Sequence, residues 1–187
     1  MLNKKILFVI FLIVVIVQLF VPAKIIYDSE DILADGKEFK FRTAPIDPID
    51  PFRGKYIFLQ FKENSINVNN SNDWANGETI FVSFENDENG FAKIKSIQKE
   101  KPETTIDFVK SKITMVFQNK VTVIYPFDRY YMEETKAGKA EIIYNNSIID
   151  TNKITYALVS VKNGNAIIKN IYIDEIPITE YIKNNNH

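Results

Sequence analysis

Cysteine is missing from the 187-residue chain, and its single histidine is the last residue, His187. Without cysteine the chain forms no disulfide, holds no thiolate-bound metal and lacks the residue that a lipoprotein anchor modifies. One terminal histidine offers almost nothing for histidine-based catalysis or for a histidine-rich metal cluster. We therefore expect no metal and no cofactor. The lack of disulfides leaves a location outside the cytoplasm open.

A strong net charge of either sign is also missing. The chain has 23 basic and 24 acidic residues, and residues 1–26 hold three lysines and no acid. The remainder is mildly acidic, with 20 basic against 24 acidic residues. Nucleic acid is bound by a basic stripe or patch, which this balance does not supply, so we expect no nucleic-acid partner. Apolar residues make up 45% and aromatic residues 13%, which predicts a packed core rather than disorder.

The N-terminus carries the one long apolar run of the chain, residues 6–21, which only Gln18 interrupts. It is longer than the roughly 7–15 apolar residues of a signal peptide and approaches the length of a membrane span. Residues 1–26 are therefore interpreted as an uncleaved single-pass membrane anchor, with a signal peptide cleaved before Lys24 as the alternative. Lys4 and Lys5 favour an N-terminus inside the cell, because basic residues flank the cytoplasmic end of a span.

Beyond the anchor, the pattern predicts three further segments. Residues 27–36 are typical of a short stalk or helix, with Ser29 as its cap and Gly36 as its stop. Residues 37–178 alternate apolar and polar side chains in short runs separated by turn residues, and residues 179–187 form a tail. About seven short strands of this kind predict a mainly β domain, either a sandwich or a partly open barrel-like domain, with short helices.

Two local patterns in this domain predict specific elements. Asn163 and Gly164 stand between two alternating runs, which predicts a β-hairpin closed by a tight turn. Residues 128–146 contain a partial apolar stripe at helical spacing and predict the main helix of the domain. Asp128 or Thr135 is expected to cap that helix.

Three weaker features each have a plain structural interpretation. Trp74 lies in a loop rich in asparagine and serine, and is expected to fold back as a hydrophobic plug, with an exposed binding residue as the alternative. Residues 86–90 combine acids and amides as calcium loops do, but they lack the EF-hand spacing and favour a turn. Ser111 and Lys112 are neighbours on a strand and face opposite sides, which disfavours a serine–lysine hydrolase.

Prolines and aspartates alternate through residues 43–54, the stretch around which the chain is organised. Prolines at positions 45, 48 and 51 keep the preceding residues extended, and two of those residues are Asp47 and Asp50. The segment ends in a turn at Arg53 and Gly54, because glycine supplies a positive φ without strain. A strand with alternating side chains follows.

This stretch resembles the signature of the GDYXXLXY family of bacterial membrane-anchored proteins. The resemblance rests on a proline–aspartate segment followed by Arg-Gly-x-Tyr-x-x-Leu-x-aromatic. The matching residues are Pro45, Asp47, Pro48, Asp50, Arg53, Gly54, Tyr56, Leu59 and Phe61. Lys55 stands where the family has its aspartate, and Phe61 replaces the final tyrosine. Residues 129–134 resemble the family's Tyr-Phe-x-x-Glu segment and add Tyr131 and Glu134 to the candidate site.

The resemblance implies a single-pass protein of the bacterial cytoplasmic membrane, with its folded domain periplasmic or extracellular, and no established reaction. Family members tend to be encoded beside multi-span membrane proteins, which implies such a protein as partner. The favoured hypothesis is therefore a membrane-anchored envelope protein that acts as a non-enzymatic binding or assembly module.

The candidate site residues keep a second hypothesis open. Aspartates before prolines commonly fix turns by accepting backbone N–H groups, and Arg53 is expected to clamp Asp47, Asp50 or Glu134 as a charge-assisted pair. The same acids and arginine are alternatively the site of a hydrolase or of a small-ligand-binding domain, since paired carboxylates perform acid–base chemistry.

Overall fold

A computed structural model describes residues 4–45, 56–103 and 107–184. Strands hold 42% of the described residues. The helices are α1 (Lys4–Asp35), α2 (Glu134–Ile149) and α3 (Ile178–Asn184). The strands are β1 (Lys37–Ala44), β2 (Tyr56–Phe58), β3 (Gln60–Phe61), β4 (Ser65–Asn67), β5 (Thr79–Asn86), β6 (Ala92–Gln98), β7 (Phe108–Phe117), β8 (Lys120–Ile124), β9 (Arg129–Tyr131), β10 (Thr155–Lys162), β11 (Asn165–Ile173) and β12 (Ile176–Pro177).

Two five-stranded antiparallel sheets build the domain. One has the order β12-β11-β10-β1-β3 and the other β4-β8-β7-β5-β6, while β2 and β9 pair as a separate ribbon. Single bridges join the two sheets, one from Lys40 on β1 to Phe91 and one from Val109 on β7 to Gly164. The sheets thus curve into a nearly closed barrel, which confirms the mainly β, barrel-like prediction.

The barrel is filled by aromatic rings that meet on Phe41. The Phe41 side chain is fully buried, and its ring packs edge-on against Phe61, Phe84, Tyr125 and Phe127, with centroids 5.1–5.6 Å apart. These residues come from both sheets and from the segment after β8. Edge-to-face aromatic pairs contribute about 0.5–1.5 kcal/mol each beyond the burial of their area, so this cluster couples the sheets.

Helix α1 is continuous from the apolar run to the start of the β domain, and Pro22 lies inside it. The sequence predicted Ser29 as a cap, but the structure has no break there. The predicted stop is confirmed: α1 ends at Asp35, and the backbone N–H of Gly36 donates to the Ile32 carbonyl at 2.9 Å. Within the described residues α1 is the one helix long and apolar enough to cross a membrane, a test that a signal sequence also passes.

Helix α2 confirms the predicted helix but begins later than residue 128. Residues 129–131 pair with β2 as a strand, and α2 starts at Glu134. Neither predicted cap is used, because the residue before the helix is Glu133 and its side chain makes no capping bond. The apolar stripe is confirmed at Ala140 and Tyr144, which are buried against the barrel. Helix α3 covers residues 179–184 of the predicted tail.

Trp74 takes the plug position that the sequence predicts. Its ring is partly buried and packs against the hydrophobic core. The Lys99 ammonium lies over that ring, 5.6 Å from the centroid. The loop that carries Trp74 is thereby tied to the sheet beneath it.

The predicted hairpin joins β10 to β11. Asn163 and Gly164 have φ values of +53° and +89°, which confirms the tight turn with two left-handed residues. Gly164 also closes the barrel, because its carbonyl accepts the Lys110 N–H at 3.0 Å and a Cβ added to it would lie 2.7 Å from the Phe108 ring. The turn and the closure therefore depend on one glycine.

We expect Gly164→Ala to lower the free energy of unfolding by about 2–4 kcal/mol, because a left-handed alanine is strained and its methyl group would displace Phe108. Gly90→Ala is the matched control. Gly90 has a φ of +78° but no atom within 4 Å of the added Cβ, so only the backbone strain, about 1–2 kcal/mol, should appear. Urea unfolding of residues 27–187 measures both losses. Equal losses would contradict the role of the Phe108 contact.

Candidate functional site

Part of the predicted site lies outside the described residues. Asp47, Asp50, Arg53 and Gly54 fall in residues 46–55, so the proposed clamp and the alternative acidic site both stay predictions. The structure places the other three predicted residues: Tyr56, Tyr131 and Glu134.

Tyr56 and Tyr131 are brought together by the ribbon of β2 and β9. They are direct partners in its register, and their ring centroids lie 5.4 Å apart. The guanidinium of Arg129 lies over the Tyr56 ring at 5.2 Å from its centroid, while 64% of Tyr131 is exposed to solvent. These three side chains form what we call the tyrosine strip. Glu134 follows the strip as the first residue of α2.

A second polar cluster was not predicted: Arg42 on β1 binds two acids from distant loops. One amino group donates to Glu63 at 2.7 Å and the other to Asp87 at 2.5 Å. The guanidinium also covers the Phe91 ring, 4.1 Å from its centroid. Because all three charged side chains are mostly buried, this pair of bonds is protected from screening by solvent.

Asp87 shows why the acid-rich turn at residues 86–90 forms. Its carboxylate accepts the backbone N–H groups of Asn89 and Phe91, both at 2.9 Å, as aspartates in turns commonly do. The Phe91 N–H, and then the Arg42 guanidinium, lower the pKa of Asp87. The carboxylate is therefore held by protein donors. Across the described residues no group of three acids or histidines is arranged to hold a metal ion.

A cleft opens beside this cluster, between β1, the start of β10 and the end of α2. Its volume is about 610 Å³. The lining residues are Lys40, Arg42, Thr43, Lys62, Asn89, Phe91, Ser147, Ile148, Thr151, Lys153, Ile154, Thr155 and Glu175. Its floor is a chain of buried hydroxyls: Thr43 donates to the Thr155 carbonyl, and Thr155 donates to Ser147, each at 2.9 Å.

The charges around the cleft are mainly basic. Lys40 pairs with Glu175 at 3.3 Å, and the Tyr156 hydroxyl, followed by Lys40, lowers the pKa of that carboxyl. Lys153 donates to a tyrosine hydroxyl rather than to an acid, and Lys62 forms no ion pair with the described part of the chain. Among the described residues, therefore, no carboxylate forms an ion pair with Lys62 or Lys153.

The surroundings of Ser111 do not support a role for this serine as a nucleophile. Its side chain is buried, whereas the neighbouring Lys112 is exposed, which confirms that the two face opposite sides of β7. Among the described residues the Ser111 hydroxyl has no hydrogen-bond partner. A serine nucleophile needs a base within hydrogen-bond reach, and Lys112 is not placed to serve as one.

Comparison with known proteins identifies the family of the chain. A family model described as GDYXXLXY protein matches residues 18–171, from the middle of α1 into β11. No curated protein and no solved structure matches the chain.

The lowered pKa of Asp87, caused by the Phe91 N–H and then by Arg42, predicts a pH-dependent stability. Because the pKa of Asp87 is lowered in the folded state, its stabilising effect is complete above the ordinary value of 3.8 and is lost as the pH falls through the lowered value. Asp87→Asn should therefore lower the melting temperature at pH 7, and the difference from the parent should shrink as the pH falls below the ordinary value of 3.8. Thermal unfolding at pH 7 and at a series of pH values below 3.8 measures this change. Glu88→Gln, in the same turn but exposed, should melt like the parent. A difference for Asp87→Asn that is constant with pH would contradict the assignment.

Proposed function

The chain belongs to the GDYXXLXY protein family, and on that premise we propose that it is a membrane-anchored envelope protein acting as a non-enzymatic binding or assembly module. Its partner in this proposal is a multi-span membrane protein. The domain is held outside the cytoplasm, periplasmic or extracellular, by an uncleaved N-terminal span.

The observation that carries the proposal is the exposed apolar surface of α1. Its most apolar window has a mean hydropathy of 3.1, and none of that window is buried in the protein. Leu19, for example, is 67% exposed. Soluble proteins rarely leave so continuous an apolar surface in water, whereas a lipid bilayer covers it. Lys4 and Lys5 at one end, with acids following the other, support an N-terminus inside.

The junction between α1 and the domain supports a role that needs a fixed position. Ile32 is buried against the barrel, and Lys162 binds Asp31 at 2.7 Å and Asp35 at 3.3 Å. The helix therefore continues into the domain without a flexible linker. A module held in this way presents the same surface to any neighbour in the membrane.

The tyrosine strip is the surface that we assign to the partner. Aromatic and arginine side chains are enriched in the centres of protein interfaces, and tyrosine buries a large area at a low cost in conformational entropy. The contacts among Arg129, Tyr56 and Tyr131 hold the strip in place, and the Tyr131 side chain still remains exposed for a partner to cover. One member of the strip, Tyr56, belongs to the family signature stretch.

Since the chain has no cysteine, one introduced cysteine tests topology and partner together. Tyr131→Cys and the control Lys95→Cys, exposed on β6, are labelled in spheroplasts with a membrane-impermeant maleimide that carries a photoreactive group. We expect both to be labelled. After illumination, only the probe at position 131 should crosslink to a multi-span membrane protein.

Each alternative outcome contradicts one part of the proposal. Labelling only after the membrane is permeabilised would reverse the topology, and a mature N-terminus at Lys24 would exclude the anchor. Equal crosslinking from positions 95 and 131 would remove the tyrosine strip as the interface.

The cleft favours a second function, the binding of a small anionic ligand. Its volume lies within the roughly 300–1,000 Å³ of ligand pockets, and a hydroxyl floor with a basic rim suits a phosphorylated sugar. Glu134, the one described residue of the acidic site that the sequence suggested, does not line this cleft.

We test this function by calorimetric titration of the detergent-solubilised chain with glucose 6-phosphate and with glucose. Only the phosphorylated sugar should bind. Lys62→Gln should weaken binding by about fivefold to tenfold, since one charged hydrogen bond is lost, while the control Lys95→Gln should not. Equal binding of both sugars, or no binding of either, would remove the second function.

A further inference from the structure

Two polar groups meet at one position of the apolar helix. Gln18 is the only polar side chain in residues 6–21, and Pro22 stands four residues later inside α1. Proline has no N–H, so the Gln18 carbonyl lacks the donor that normally closes a helical turn. Gln18 therefore has two groups that seek hydrogen bonds. One is its amide side chain, and the other is its backbone carbonyl, which has lost its usual helical donor.

The flanking lysines indicate the depth of this position. Lys5 and Lys24 are 19 residues apart, which is about 28 Å of helix at ~1.5 Å per residue and close to the ~30 Å of a bilayer's hydrocarbon core. Gln18 lies six residues before Lys24, about 9 Å along the axis inside that boundary. A glutamine side chain is too short to reach water from there.

The two groups do not satisfy each other within one chain. In an α-helix the Cα–Cβ bond tilts toward the N-terminus, whereas the carbonyl points toward the C-terminus. The Gln18 amide therefore points away from the carbonyl of its own residue. Leaving a polar group without a hydrogen bond in hydrocarbon costs several kcal/mol, so a partner within the membrane is favoured.

We propose that this partner is a second copy of the chain, which pairs through the Gln18 face of α1. This inference rests on the proposed membrane anchoring. Two copies enter the membrane with the same orientation, so their Gln18 residues lie at the same depth. Each amide is both donor and acceptor, so the two Gln18 side chains, which tilt the same way in parallel helices, can hydrogen-bond to each other. The contact is thus self-complementary, as a two-fold interface requires.

The test uses the cysteine-free full chain in its native membranes. At 100° per residue, positions 11 and 14 lie on the Gln18 face, and positions 13 and 16 lie on the opposite face. Phe11→Cys and Val14→Cys should form disulfide-linked dimers on mild oxidation, and the controls Ile13→Cys and Ile16→Cys should not. Adding Gln18→Leu should lower the dimer yield by about threefold to tenfold, the effect of one or two interhelical hydrogen bonds, whereas Gln18→Asn should keep it.

Three results would overturn the inference: dimers formed equally from both faces, a yield unchanged by Gln18→Leu, or a crosslink from position 14 to a different protein. Alkaline extraction of the same membranes distinguishes a failure of the pairing from a failure of the proposed membrane anchoring. A chain that stays in the membrane without forming the dimer overturns only the pairing. A chain released by alkali overturns the anchor and the pairing with it.

Discussion

The packing of rings around Phe41 is the interaction on which the rest of the domain depends. It joins β1 to the opposite sheet through Phe84, and it fixes Tyr125, whose hydroxyl donates to the Glu63 carbonyl. Burial raises the pKa of that tyrosine, so the hydroxyl stays a donor at any physiological pH. Glu63 in turn holds Arg42 at the edge of the cleft. The apolar core and the main polar cluster are therefore one continuous structure.

Much of the fold follows from local patterns that sequence reasoning detects. The apolar N-terminal run, the stop at Gly36, the alternating strands and the turn at Gly164 each depend on residues within a few positions of one another. The strand at residues 129–131 was wrongly included in a helix because its three residues carry no clear period. Its conformation comes from pairing with β2, more than seventy positions earlier in the chain, and such tertiary context overrides local propensity.

The candidate site was less predictable, and the reason is sequence separation. Arg42 meets acids 21 and 45 positions away, and nothing in the spacing distinguishes these acids from others on the surface. The sequence predicted the turn at residues 86–90. It did not predict that Asp87 in this turn pairs with Arg42, because only the folded sheets bring the two residues together. The pairing of Tyr56 with Tyr131 follows from the strand register. The cleft depends on residues from five parts of the chain, and its hydroxyl floor is visible only after folding.

The close junction at Gly36 has a consequence for how the domain is oriented. A Cβ at that position would lie 2.3 Å from the Ile32 carbonyl oxygen and 3.1 Å from Ser160, so helix and barrel are locked at one rotational angle. An α-helix turns by about 100° per residue. The number of residues between the apolar part of α1 and Gly36 therefore sets the rotational orientation of the barrel about the helix axis, whatever medium surrounds the apolar part. Inserting or deleting one residue there would rotate the domain by more than a quarter of a circle. A change of seven residues would almost restore its original orientation.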